Sequence, residues 1–104
     1  MQVLKTSLLL VGLLALSTSY AQKAELDAID AMAKSDRAAC EPMKGNAKDI
    51  CQAEAKGKER VAKAELKFKL SSSDRDRAAL AAAKAEAVFA VAKEKCEDQT
   101  DAEQ

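Results

Sequence analysis

The residues of this chain best suited to chemistry are its three cysteines. Cys40 and Cys51 have ten residues between them, and the intervening segment holds the chain's one proline, Pro42. In an exported protein this arrangement predicts a disulfide that staples two helices, and closing that loop contributes about 3 kcal/mol of stability. The alternative is a soft-metal site, because Cys40, Met43 and Cys51 offer two thiolates and one thioether suited to Cu(I). No CxxC spacing accompanies them, so we predict the disulfide, with neither a metal nor a cofactor.

The third cysteine, Cys96, is followed by the polar residues 97–104. An odd cysteine in an exported protein suggests an intermolecular disulfide or a reactive thiol, and the plainer interpretation is a small apolar residue at a helix end. Lys93 and Lys95 favour the thiolate while the neighbouring acidic residues oppose it, so we expect ordinary reactivity. The partners predicted for this thiol are a second copy of the chain or an unknown envelope protein.

The composition excludes several classes of function. The 104 residues include 17 Lys and Arg, 17 Asp and Glu, and no His. Without histidine there is no imidazole base, no Cys–His or Ser–His pair and no His-ligated zinc site. Carboxylates are numerous, but an acid/base pair needs a dry pocket that separates the two pKa values. We therefore predict no enzymatic activity, and the balanced charge argues against a nucleic-acid partner.

The N-terminus predicts export. Lys5 precedes an apolar stretch at residues 8–16, and Ser19 and Ala21 place small residues at the −3 and −1 positions of a cleavage site. This pattern is typical of a secretory signal peptide at residues 1–21, cleaved between Ala21 and Gln22. A membrane span needs about 20 apolar residues, so the stretch is too short to be an anchor. The mature chain, residues 22–104, is then one periplasmic or extracellular domain without a transmembrane segment.

The positions of the chain breaks predict three helices. Ala, Lys, Glu and Arg are strong helix formers, whereas the segment around Pro42 and Gly45 and the run Ser71, Ser72 and Ser73 interrupt helices. The helices are expected at about residues 23–40, 47–70 and 74–98, before a polar tail at residues 99–104. The predicted fold is all-α: an Ala-rich antiparallel helical hairpin or a loose three-helix arrangement with a thin core.

Local signals refine the second and third helices. Asn46 is a plausible N-cap for the second helix, and Ser73 with Asp76 resembles a capping box for the third. One apolar stripe on each helix follows helical spacing: Ile50, Ala53, Gly57, Val61, Ala64 and Phe68 on the second, and Leu80, Ala83, Ala87 and Val91 on the third. Three acid-to-base pairs at i,i+4 are expected to support the second helix: Glu54–Lys58, Glu59–Lys63 and Glu65–Lys69.

Three short segments carry a resemblance to a known group of proteins. Residues 45–51 read GNAKDIC, residues 62–67 read AKAELK and residues 90–98 read AVAKEKCED. They resemble small exported Ala/Lys-rich betaproteobacterial proteins of unknown function, sometimes labelled TolA-like or cell-envelope. In that group a unit of two cysteines around GNAKD can occur twice, and Cys96-Glu97 matches the start of the first unit, Cys40-Glu41. The resemblance implies an exported protein with one staple, and it implies no activity.

These observations together predict an exported structural or interaction protein of the bacterial periplasm or cell envelope. The alternative is a periplasmic protein that handles thiols or soft metals through Cys40, Cys51 and Cys96.

Overall fold

Over residues 2–103 the protein, described here from a computed structural model, forms three α-helices. They are α1 (Gln2–Cys40), α2 (Gly45–Ser71) and α3 (Asp74–Glu103). The structure describes the backbone of residues 2–103 and the side chains of residues 19–97. The described backbone contains no strand, which confirms the predicted all-α fold.

Two helix boundaries differ from the prediction. α1 begins at Gln2 instead of near residue 23, and α3 continues to Glu103 through the segment expected to be a polar tail. Neither segment contains a proline, so the local i,i+4 hydrogen bonds can continue in both directions. The side chains of residues 1–18, on which the signal-peptide prediction rests, lie outside those that the structure describes.

The turn between α1 and α2 is built differently from the prediction. Lys44 occupies the N-cap position in an extended conformation, with φ −134° and ψ 158°, so Asn46 is not the cap. Gly45 follows with φ +61°, a left-handed conformation that favours glycine. The Met43 amide donates to the Cys40 carbonyl at 3.0 Å and closes the end of α1.

The turn between α2 and α3 forms one of the two hydrogen bonds that define the predicted capping box. The Asp76 amide donates to the Ser73 hydroxyl at 3.1 Å, as expected of an N-cap serine. The Asp76 carboxylate instead accepts from the Ser71 hydroxyl at 2.6 Å. This bond, helped by Arg75 and by Ser73, holds the pKa of Asp76 below its ordinary value. Ser72 adopts a left-handed conformation with φ 52°, which reverses the chain direction.

The three helices lie side by side in a single layer. The Cα atoms extend only 7 Å in the thinnest direction. α2 lies in the middle and packs against both neighbours, whereas α1 and α3 make no contact with each other along the described backbone. Because one layer leaves both of its faces open, few side chains become buried. Within residues 19–97, the buried ones are Ala33, Cys40, Ala55, Gly57, Leu66 and Asp76.

The seam between α1 and α2 combines small buried residues with a row of ion pairs. Ala33 on α1 and Ala55 and Leu66 on α2 are buried. Three ion pairs join the helices: Arg37–Glu59, Asp30–Lys63 at 3.1 Å and Glu25–Lys69 at 3.1 Å. Of the three predicted i,i+4 pairs, Glu59–Lys63 forms at 2.9 Å. Lys69 pairs with α1 instead of Glu65, because the neighbouring helix supplies a carboxylate that sequence spacing does not reveal.

The seam between α2 and α3 follows the predicted apolar stripes, whose members are half-buried apart from the buried Gly57. The helices approach most closely at Gly57, where a β-carbon would lie 2.9 Å from the Ala87 Cβ. Arg60 pairs with Glu86 across the seam at 3.2 Å. Near the turn, the Arg77 guanidinium lies 5.5 Å from the centre of the Phe68 ring, a cation–π contact.

Candidate functional site

The predicted staple is present. Cys40 and Cys51 form a disulfide whose Cα atoms are 5.7 Å apart, joining the last residue of α1 to the beginning of α2. Cys40 is fully buried and Cys51 is half-buried. Because the two sulfurs are bonded to each other, they are not thiolates, and the alternative site with Met43 does not form in this state. Among the described residues, no group of three or more His, Cys, Asp or Glu is placed to hold a metal ion.

Cys96 lies on α3, outside this disulfide, and its side chain is exposed. Glu94, two positions earlier, is half-buried. Burial raises the pKa of Glu94, and the negative charges of Glu97 and of Asp49 on α2 raise it further. The surface next to Cys96 is therefore rich in carboxylates.

A second charged group lies on the α1–α2 seam. Glu59 accepts hydrogen bonds from Lys63 at 2.9 Å and from Arg37. The bond from Lys63, aided by Arg37, lowers the pKa of Glu59. Lys63 also contacts Asp30, and these two carboxylates raise the pKa of Lys63. Since each carboxylate here faces a cation, the cluster holds α1 on α2.

The feature best suited to binding is an open groove of about 600 Å³ on one face of the α2–α3 hairpin. We call it the apolar face. Its floor and walls are small or branched apolar residues, and its rim carries both charge signs. The apolar residues are Ala53, Gly57, Val61, Ala62, Ala87, Val88, Val91 and Ala92, and the rim residues are Glu54, Lys58, Glu65 and Lys95.

The opposite face of the same hairpin is chemically different. Its groove, of about 470 Å³, is lined mainly by charged and polar side chains around Phe89. Val88 and Phe89 are neighbours on α3 and project to different faces, with almost equal exposures of 71% and 70%. We call this second surface the charged face. Of these two faces of the hairpin, the apolar face is the one whose removal from water is the more favourable.

Sequence reasoning did not predict the apolar face. The stripe on α2 and α3 was expected to form the contact between these helices, and it does. The signal for the groove was the combination of small stripe residues, which leave a shallow floor, with a larger apolar residue next to them.

Within the part of the chain that the structure describes, no helix has a stretch apolar enough and long enough to cross a bilayer. In comparisons with known proteins, no family model, curated protein or solved structure matches the chain. The resemblance to small exported Ala/Lys-rich proteins therefore stays a prediction.

Proposed function

We propose that the protein is an exported structural or interaction protein of the bacterial cell envelope, which binds a protein partner through its apolar face and catalyses no reaction. The observation that carries the proposal is the apolar face itself. Val88 is 71% exposed, although it is a large apolar residue beside a groove of small apolar ones. A contiguous apolar surface with a polar rim is typical of protein interaction sites.

Two observations support the export part of the proposal. A disulfide between Cys40 and Cys51 suits an oxidising compartment such as the periplasm or the outside of the cell. The α1 side chains that pair with α2 also lie beyond the predicted cleavage site at Ala21. They are Glu25, Asp30, Arg37 and Cys40. Removal of residues 1–21 would thus leave the α1–α2 seam intact.

Site-specific photocrosslinking in living cells tests the proposal. A photoreactive amino acid at Val88 reports on the apolar face, and the same amino acid at Phe89 is the matched control on the charged face. We expect a crosslinked protein product from position 88 and much less from position 89. A position-88 variant that is exported and folded but crosslinks to no protein, neither another protein nor a second copy, would contradict the proposed function.

A further inference from the structure

The shape and charge of the apolar face indicate what binds there. We propose that a second copy of this chain covers it, packed antiparallel about a two-fold axis at the level of Val88. This inference rests on the proposed function, since it names the partner for the same surface.

The contact between Gly57 and Ala87 sets these levels. A β-carbon on Gly57 would lie 2.9 Å from the Ala87 Cβ, so the two residues share one level along the antiparallel helices. One residue advances a helix by about 1.5 Å. Because α2 and α3 run in opposite directions, residue 56 on α2 and Val88 on α3 are displaced by about 1.5 Å towards the same end of the hairpin. Residue 56 and Val88 therefore share a level too.

Residue 56 is the midpoint between two rim residues of opposite charge, Glu54 and Lys58. A two-fold axis that crosses both helices at this level stacks α2 on α2 and α3 on α3, each antiparallel. Glu54 of one copy then faces Lys58 of the other, and Lys58 faces Glu54 in return. The same axis brings Val88 against Val88. One symmetry operation thus forms two reciprocal ion pairs and buries Val88, a large apolar side chain that is exposed in the single chain.

The floor and the rim both suit a second copy. Ala53, Gly57 and Ala87 leave a shallow floor, so another helix can approach closely. The rim carries two acidic and two basic residues, Glu54, Glu65, Lys58 and Lys95. A strongly acidic or basic partner would meet as much repulsion as attraction on such a rim. A copy turned by the two-fold axis places Glu54 and Lys58 against opposite charges, and it places Glu65 and Lys95 opposite the uncharged residues 47 and 81.

The size of the face predicts a weak dimer. Residues 53–65 give a face about 20 Å long, and two helices make it about 20 Å wide. The two copies would bury about 800 Å² in total, less than the roughly 1,200 Å² at which stable interfaces begin. We therefore expect a reversible dimer that forms as the protein concentration rises.

Charge-reversal variants at positions 54 and 58, measured alone and as a mixture, test this geometry. The parent is a Cys96→Ser variant with the Cys40–Cys51 disulfide intact, so no disulfide between chains contributes. Its average mass in sedimentation equilibrium should rise with concentration towards twice the monomer mass. Glu54→Lys and Lys58→Glu should each raise the dimer dissociation constant by about tenfold or more, since like charges then face each other twice. An equimolar mixture of the two variants should regain the parent affinity, because both facing pairs are opposite again.

Lys56→Glu is the matched control for Lys58→Glu, since it makes the same charge change at a position on the charged face. It should leave the dimer unchanged, and helical circular dichroism should confirm that all variants fold. A parent that stays monomeric at every concentration would overturn the inference, and so would a mixture that fails to recover. If the parent stays monomeric and its position 88 crosslinks to a different protein, the partner is not a second copy. The proposed function would still stand.

Discussion

Replacement of Gly57 by alanine tests the closest contact of the fold. The new methyl carbon would lie 2.9 Å from the Ala87 Cβ and 3.5 Å from the Ala87 Cα. Carbon atoms in contact prefer a separation of about 3.5–4.0 Å. Both atoms next to the new methyl group belong to a helix backbone or are attached directly to it, so no flexible side chain can move away. Relief requires a shift of one helix relative to the other.

Two opposing effects decide how much Gly57→Ala changes the free energy of unfolding. Gly→Ala inside a helix is worth about 1 kcal/mol of stabilisation. Overpacking a contact costs about 1–3 kcal/mol. We therefore expect Gly57→Ala to lower the free energy of unfolding by about 1 kcal/mol, where helix propensity alone predicts an increase of the same size.

A double-mutant cycle separates these effects. Ala87→Gly alone should cost about 1 kcal/mol through helix propensity. Combined with Gly57→Ala, it exchanges the methyl group between the two helices, cancels the propensity terms and removes the clash. The double variant should lie within about 0.5 kcal/mol of the parent, which gives a coupling of about 2 kcal/mol between the positions.

Urea unfolding followed by circular dichroism measures the four proteins of the cycle. Ala85→Gly, at an exposed position on α3, is the control for helix propensity without a contact across the seam. If Gly57→Ala stabilises the protein by about 1 kcal/mol and shows no coupling to position 87, the helices do not approach as closely as the structure has them.

Four further predictions concern the staple, the ion pairs and the termini. Replacing both Cys40 and Cys51 by serine should lower the free energy of unfolding by about 3 kcal/mol, measured by urea unfolding, because a 12-residue loop is released; an unchanged midpoint would refute a stabilising role for the staple. The pKa of Glu59 is lowered in the fold, so its stabilising contribution should disappear as the pH falls below its ordinary pKa of 4.5. Glu59→Gln should flatten the acid limb of a stability–pH curve, and an unaltered acid limb would contradict the ion-pair argument. In unreduced protein an alkylating reagent should modify the exposed Cys96 and leave the two stapled cysteines untouched, as peptide mass mapping can show. Intact mass of the protein recovered from the periplasm should begin at Gln22, and recovery of only the uncleaved chain from membranes would contradict export by a cleaved signal.

Local sequence signals predicted the breaks in the chain and the staple. Pro42 cannot continue a helix, and the serines at 71–73 compete for backbone hydrogen bonds, so both turns fall where expected. Cys40 and Cys51 bracket the first turn, and their pairing was predicted from this position together with the predicted export. The missed end of α3 has the opposite cause: no proline follows residue 98, so nothing local marks a stop there. The start expected near residue 23 followed from the predicted cleavage after Ala21 and concerns the mature chain.

Contacts between helices decided the rest. Helical periodicity showed one apolar stripe on α2, but α2 lies in the middle of the layer and needs two contacting sides. Its second side runs through Ala55 and Leu66, whose burial depends on α1 lying alongside. Lys69 likewise pairs with Glu25, 44 residues away, instead of with Glu65. The apolar face has the same origin, because Val61, Val88 and Val91 form one surface only after α3 folds back on α2 at the level of Gly57 and Ala87. Residue types and spacing fix which helix face is apolar, whereas the face that stays open to solvent depends on which neighbours pack against it.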